Sequence, residues 1–216
     1  MRRFFCCLGV ATALLFGQAP QAADRVASDP KVRRALEFLQ QNEAWVLEQQ
    51  VRLTEIPAPP FQEATRALAY KQAFQELGLK NVRIDKEGNV LGERPGRRAR
   101  PHLVLAAHLD TVFPEGADTR VKRDGALLRA PGIADDGRGL AVVLGVIRGL
   151  EQAGLETEGS ITFVGNVGEE GLGDLRGVKH LFDQELKGRI DRFISIDGTG
   201  LGIVNVGVGS YRYLVA

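Results

Sequence analysis

The sequence predicts an α/β fold in which a mostly parallel mixed sheet is covered by helices on both faces. Three observations lead there. Compact apolar runs at Leu103–Ala107, Ile161–Val164 and Phe193–Ile196 alternate with helical stretches, which is the pattern of buried strands joined by helices. The chain is 44% hydrophobic and 25% charged, an ordinary globular composition and richer in apolar residues than a disordered chain. It carries 26 glycines in 216 residues, above the usual ~7%, with no Gly-X-Y period. The glycines stand singly beside apolar runs, as tight turns between buried elements require.

The net charge of +1 argues against a nucleic-acid binder held by a broad basic face. Arg2 and Arg3 precede the apolar run Phe4–Phe16, and small residues follow near Ala22 and Ala23. This is the layout of a secretory signal peptide over residues 1–23, and the run is shorter than the ~20 residues of a membrane span. A secreted or periplasmic protein with no stable membrane span is therefore expected. Both cysteines, Cys6 and Cys7, lie in this leader, so the mature chain has no disulfide, thiolate ligand or cysteine nucleophile. Removing the leader turns the net charge from +1 to −1. The remaining residues suffice for one domain.

In chain order, Asp29-Pro30 reads as an N-cap and first helical residue. Val32, Leu36, Leu39, Val46 and Leu53 then predict one long amphipathic helix, ended by Ile56-Pro57-Ala58-Pro59-Pro60. A second helix is expected from Gln62 to Leu77, stopping at Gly78. Strands at Val82–Asp85 and Asn89–Glu93 are joined by Glu87-Gly88. Arg94 to Pro101 is a basic connection containing Gly and Pro. After the strand Leu103–Ala107, residues 120–130 read as a hairpin turning at Asp124-Gly125. Leu140–Leu150 is an apolar helix ended near Gly154, and Ile161–Val164 the next strand. Leu175–Leu186 is a helix and Phe193–Ile196 a strand. Ile203–Val208 and Tyr211–Ala216 read as a strand pair.

Each buried strand leads into metal-type ligands. Leu103–Ala107 leads into His108-Leu109-Asp110. Ile161–Val164 leads past Gly165 and Gly168 into Glu169-Glu170, and Phe193–Ile196 leads into Asp197. Asp135-Asp136 sits in a Gly-flanked turn that opens a helix. In open α/β sheets the ligand crevice lies beyond the carboxyl ends of the strands, so the fold brings these groups to one edge. Taken singly, His108 reads as a structural residue, Glu169-Glu170 as solvated surface and Asp135-Asp136 as helix capping. Together they are carboxylates that repel one another unless a cation holds them. One imidazole with several carboxylates suits Zn²⁺ or a similar ion, and two ions bridged by a carboxylate use so many ligands best. A phosphate loop at Gly171-Leu172-Gly173 is disfavoured by the adjacent acids, and there is no Gly-x-Ser-x-Gly elbow. His102 and His180 lack acidic company and read as structural.

His108-Leu109-Asp110-Thr111-Val112-Phe113-Pro114, Gly132-Ile133-Ala134-Asp135-Asp136, Gly168-Glu169-Glu170-Gly171 and Ser195-Ile196-Asp197-Gly198 resemble the dimetal exopeptidases and deacylases of metallopeptidase family 20. That family includes glutamate carboxypeptidase, acetylornithine deacetylase, succinyl-diaminopimelate desuccinylase and bacterial di- and tripeptidases. The resemblance runs from Ile56-Pro57 to the chain end. It implies a three-layer α/β/α fold of the zinc-exopeptidase type and two divalent ions, Zn²⁺ or alternatively Co²⁺ or Mn²⁺. By the same resemblance, His108 is a terminal ligand of one metal, Asp135 bridges both, Glu170 binds the second and Asp197 completes the first. Asp110 would fix the His108 ring and Glu169 would be the general base.

The implied activity is metal-dependent hydrolysis of an amide bond in a small peptide, of the di- or tripeptidase type. The alternatives are an N-acyl amino acid deacylase and a truncated remnant without activity. Gly137-Arg138-Gly139 stands where the family often has Lys-Gly, closer to the dipeptidase-like branch. Members of the family are about twice as long, with an inserted lid domain and a final His ligand near the C-terminus. Residues 24–216 are thus expected to be the N-terminal part of the catalytic domain, without the lid, through which members can form homodimers.

Overall fold

The computed structural model describes residues 18–198, residue 200 and residues 202–204. The leader expected over 1–23 lies outside them up to Gln18, where α1 (Gln18–Ser28) begins. The strand pair expected at the chain end likewise lies outside them, apart from Ile203 and Val204, which are in no regular element. Among the described residues no helix is long and apolar enough to cross a membrane.

Helix α2 (Pro30–Gln41) starts as expected. Pro30 occupies the first turn and Asp29 Oδ1 accepts the Lys31 and Val32 amides at 2.7 and 3.3 Å. The single long helix read from the apolar spacing is in fact two. Asn42 ends α2 with its backbone at φ −112°, ψ 22°, its Nδ2 donating to the Phe38 carbonyl at 2.8 Å, and α3 (Glu43–Thr54) starts after it. The short amide competes with the helical ladder for its own backbone, and the chain bends there. Helix α4 (Ala64–Glu76) and the antiparallel strands β1 (Lys80–Ile84) and β2 (Val90–Arg94) follow. Next come β3 (Leu103–His108), the separate hairpin β4–β5 (Lys122–Asp124, Leu127–Arg129), α5 (Gly137–Gln152) and β6 (Ile161–Asn166). The helix expected over Leu175–Leu186 is α6 (Arg176–His180) running into a π turn, Leu181–Glu185, before β7 (Arg192–Ser195).

The five-stranded sheet has the order β1-β2-β6-β3-β7. It is mixed: β2 pairs antiparallel with β1 and β6, whereas β6, β3 and β7 run parallel. Strand side chains alternate between two apolar layers. Leu105, Ala107, Ile161 and Phe163 pack under Leu53 of α3, Tyr70 and Phe74 of α4, and Leu140, Val143, Leu144 and Ile147 of α5. Leu91, Val104, Ala106 and Val164 face Leu181 and Leu186 on the other side. Register sets the functional edge: His108 pairs with Asn166 and Ala106 with Ser195, so the three parallel strands end side by side.

Candidate metal centre

His108 is the last residue of β3 and is 2% exposed. Its Nδ1 lies 3.0 Å from the Asp110 carbonyl oxygen and 3.6 Å from Asp110 Oδ1. Its Nε2 lies 2.8 Å from Asp135 Oδ1 and 3.7 Å from Asp197 Oδ1. The carbonyl can only accept, so Nδ1 carries a proton and Nε2 is the ring atom that can bind an ion.

The neighbouring elements aim the carboxylates. Asp135 rides on a turn whose Ile133 carbonyl accepts Gln50 Nε2 of α3 at 2.7 Å. Asp136 caps α5 by accepting the Gly139 amide at 3.0 Å, and its other oxygen accepts the His108 amide at 2.9 Å. One buried carboxylate thus joins the start of α5 to the end of β3. Asp110, fully buried, accepts the Glu169 amide at 3.0 Å and the Glu170 amide at 2.8 Å, one on each oxygen. Asp110 therefore holds the backbone of the two glutamates, and the nearest partner of the His108 ring is its carbonyl.

Gly168, at φ +63°, turns the chain after β6 so that adjacent glutamates meet one site. A Cβ there would meet Arg176 Cγ at 2.6 Å. The Arg176 guanidinium packs over this turn. It donates to Glu63 at 2.6 Å and to Glu87 at 3.2 Å, and lies 5.2 Å from the centre of the Phe61 ring. Behind the site, the fully buried Arg66 of α4 donates to the carbonyls of Leu109 (2.7 Å), Ile56 (2.6 Å) and Thr54 (3.3 Å).

Two sets of ligand atoms lie within 4.8 Å of one another: His108, Asp135 and Glu170, and His108, Glu169 and Asp197. They share His108, and Asp197 joins Glu169 here. The electrostatics match a cation site. Burial opposes charge on His108, but the nearby carboxylates of Asp110, Asp197 and Asp136 outweigh it and hold the imidazolium up to about 11. Burial pushes Asp136 up to about 8, against the pull of His108 and the amides it accepts. Burial also raises Glu169, aided by Asp197 and Glu170, and raises Glu170, aided by Asp135. Negative groups that resist ionising together are relieved by a divalent ion. One imidazole and four carboxylates at the ends of three strands and one helix-opening turn form a donor set that fits a pair of divalent ions.

The model of peptidase family M28 matches residues 89–208, which contain all of these groups. The chain belongs to this family. It is 35% identical over 146 residues to carboxypeptidase G2 of Pseudomonas sp. (strain RS-16), covering 63% of this chain and 34% of that protein. It superposes on the crystal structure of a tripeptidase from Staphylococcus aureus with a TM-score of 0.60 at 28% identity, covering 74% of this chain and 44% of that one. A Bacillus subtilis protein described as a dinuclear metal binding peptidase from the M20 family shares the fold, with a TM-score of 0.57, 17% identity and coverage of 74% and 44%. The number read from the motifs was 20 and the matching model is 28. The expectation holds at the level common to both, dimetal exopeptidases of the M28/M20 type. The chain spans about a third of the length of the curated relatives it matches.

The motifs had pointed to His108, Asp110, Asp135, Glu169, Glu170 and Asp197, and all six stand at this edge. Sequence reasoning missed Asp136 as a tie to β3, and it missed Arg66 and Arg176. Arg66 had left one signal: a charge on the apolar face of α4, in helical spacing with Tyr70 and Phe74. His102 is satisfied by the Arg189 carbonyl and the Thr162 hydroxyl, and His180 lies 3.9 Å from Asp85.

Proposed function

We propose that this chain carries the metal-binding half of an exopeptidase that hydrolyses an amide bond of small peptides, of the di- or tripeptidase kind, with two Zn²⁺ ions. The observation that carries the reading is the convergence of His108 Nε2 with the carboxylates of Asp135, Glu170, Glu169 and Asp197 at one sheet edge, with Glu169 and Glu170 on one turn fixed by Asp110. When bound, divalent ions lower the pKa of a water and polarise the scissile carbonyl. Asp135, Glu170, Asp197 and His108 Nε2 would hold them. Glu169 accepts the proton of the attacking water and returns it to the leaving amine nitrogen. Its carboxyl, raised by burial and by neighbouring acids, is suited to both halves of that exchange. Asp110 keeps the Glu169 carboxylate pointed at the water by anchoring its backbone.

The test is hydrolysis by the complete gene product of di- and tripeptides and of N-acetyl amino acids, with Zn²⁺, Co²⁺ or Mn²⁺ added after chelation. Metal-dependent turnover of peptides in preference to N-acetyl amino acids supports the reading. Preference for the N-acetyl compounds would move the activity to deacylation. Binding of both ions without turnover of either class would overturn it. We further propose export, supported by Arg2 and Arg3 before the apolar run Phe4–Phe16. N-terminal sequencing of the protein recovered outside the cytoplasm should begin near Asp24, and an intact leader on cytoplasmic protein would refute export.

A further inference from the structure

At the opposite end of the sheet, the basic connection noted in the sequence forms the wall of a cavity of about 430 Å³. Arg94, Arg98, Arg100 and Arg189 all line it, with Glu93 as its one carboxylate. It opens where β3 and β6 begin, beside His102 and Ser160, whereas the metal centre lies where they end. β3 has six residues, which at ~3.3 Å per residue separates the two sites by about 20 Å.

This basic loop is held in place. The Arg97 and Arg98 amides donate to the Thr157 and Glu158 carbonyls, each at 2.9 Å, and Ser160 Oγ donates to the Ala99 carbonyl at 2.7 Å. Gly159 lies against the Pro101 carbonyl so closely that a Cβ would overlap it. His102, through its own two ring contacts, fixes the backbone of Arg189 across the cavity. The backbone that carries these arginines is therefore fixed before any ligand arrives, and the exposed side chains of Arg98, Arg100 and Arg189 reach from it to the cavity.

Their charges are only partly answered. Arg94 is taken up, pairing with Glu151 at 2.6 Å and donating to the Leu155 carbonyl, with its Nη1 buried. Arg98 pairs with Glu158 at 3.3 Å, and Arg100 with Asp191. Arg189 donates Nη2 to the Glu185 carbonyl and makes no ion pair among the described residues. Glu93 is taken up by Arg83 and Asn81. Arginine forks match the oxygens of phosphate and carboxylate groups two at a time. A cavity of this size suits a small molecule.

We infer that this cavity is a binding site for a small multivalent oxyanion, bearing phosphate or clustered carboxylate groups, separate from the metal centre. The site draws on no residue of the hydrolytic reading and stands or falls without it.

The experiment is calorimetric titration of the metal-free full chain with inorganic phosphate and, in a second arm, with citrate, each against sodium chloride of equal ionic strength. Working without metal removes phosphate binding to bound ions. One equivalent is expected with a Kd below about 1 mM. The stronger arm identifies the oxyanion, phosphate or carboxylate. Arg189→Met, which removes the lining arginine with no ion pair among the described residues, should weaken it at least tenfold. The double variant Arg98→Gln with Arg189→Met should weaken it further. In each variant, metal uptake at His108 should remain within twofold of the parent. Modification of Arg98 and Arg189 by phenylglyoxal, read by mass spectrometry, should slow in the presence of the anion. Neither anion binding better than chloride would overturn the inference, as would binding unchanged by the arginine substitutions.

Discussion

Replacing Asp110 with Asn tests whether the glutamate pair is held from beneath. Each Asp110 oxygen accepts one amide, from Glu169 at 3.0 Å and from Glu170 at 2.8 Å, in a fully buried position. An asparagine of the same shape offers one oxygen and one NH₂. One amide keeps an acceptor, and the other faces a donor. A hydrogen bond to a charged group contributes about 1.5–3 kcal/mol, and a stranded buried donor costs about 1–3 kcal/mol. The loss should therefore be about 2.5–6 kcal/mol, read as a lower denaturant midpoint of the metal-free protein. Because the affected backbone carries Glu170, metal affinity should also fall, by about 10–100-fold, as when a partner that orients a ligand is removed. The assays are equilibrium unfolding and metal competition against a chromophoric chelator. Stability within about 0.5 kcal/mol of the parent, with unchanged metal affinity, would refute the idea that Asp110 organises this turn.

Glu169→Gln in the complete gene product should keep both metals and lose about 10²–10⁴ in rate, whereas Glu170→Gln should lose metal occupancy; the reverse outcome exchanges their roles. Arg66→Met should destabilise the fold by about 3–5 kcal/mol, because the Leu109, Ile56 and Thr54 carbonyls lose a buried charged donor, and Arg66→Lys should not restore it. Urea unfolding of both variants checks this, and a neutral result for Arg66→Met would sink it. In the metal-free protein the pKa of His108 is raised from 6.5 to about 11. Its charge therefore contributes stability that is full below about pH 6.5 and lost as pH rises through about 11. At pH 7, binding an ion at Nε2 should release a proton, seen as a buffer-dependent heat in calorimetry; no such dependence would contradict the assignment of Nε2 as the ligand atom.

The fold was legible wherever burial leaves a simple trace. Leu103–His108 and Ile161–Asn166 are apolar runs because both of their faces are covered. The six site residues were legible because each follows such a run or opens a helix. What escaped depends on contacts that leave no periodic signal. Asn42 breaks a helix whose apolar spacing continues on either side. Arg66 donates to backbone carbonyls, so no complementary residue in the chain announces it. Asp136 looks like an ordinary cap because one of its oxygens is one, while the other reaches a backbone amide of β3, 28 positions back. Glu63 and Arg176 stand 113 positions apart and meet only once α4 and the turn after β6 have packed.

The placement of β7 has a kinetic consequence. Of the groups around His108, Asp197 alone follows a strand at the rim of the five-stranded sheet, and that strand has four residues with Ile194 half exposed. Such short, exposed rim segments open at far lower free energy than central strands. When β7 frays, Asp197 withdraws while His108, Asp110 and the glutamates stay seated on β3 and β6. An ion can therefore escape or be exchanged through this local opening, many times faster than the molecule unfolds. Its residence time should follow the deuterium exchange of the Arg192 and Ile196 amides, which donate to β3 and the residue before it, and not that of Val164.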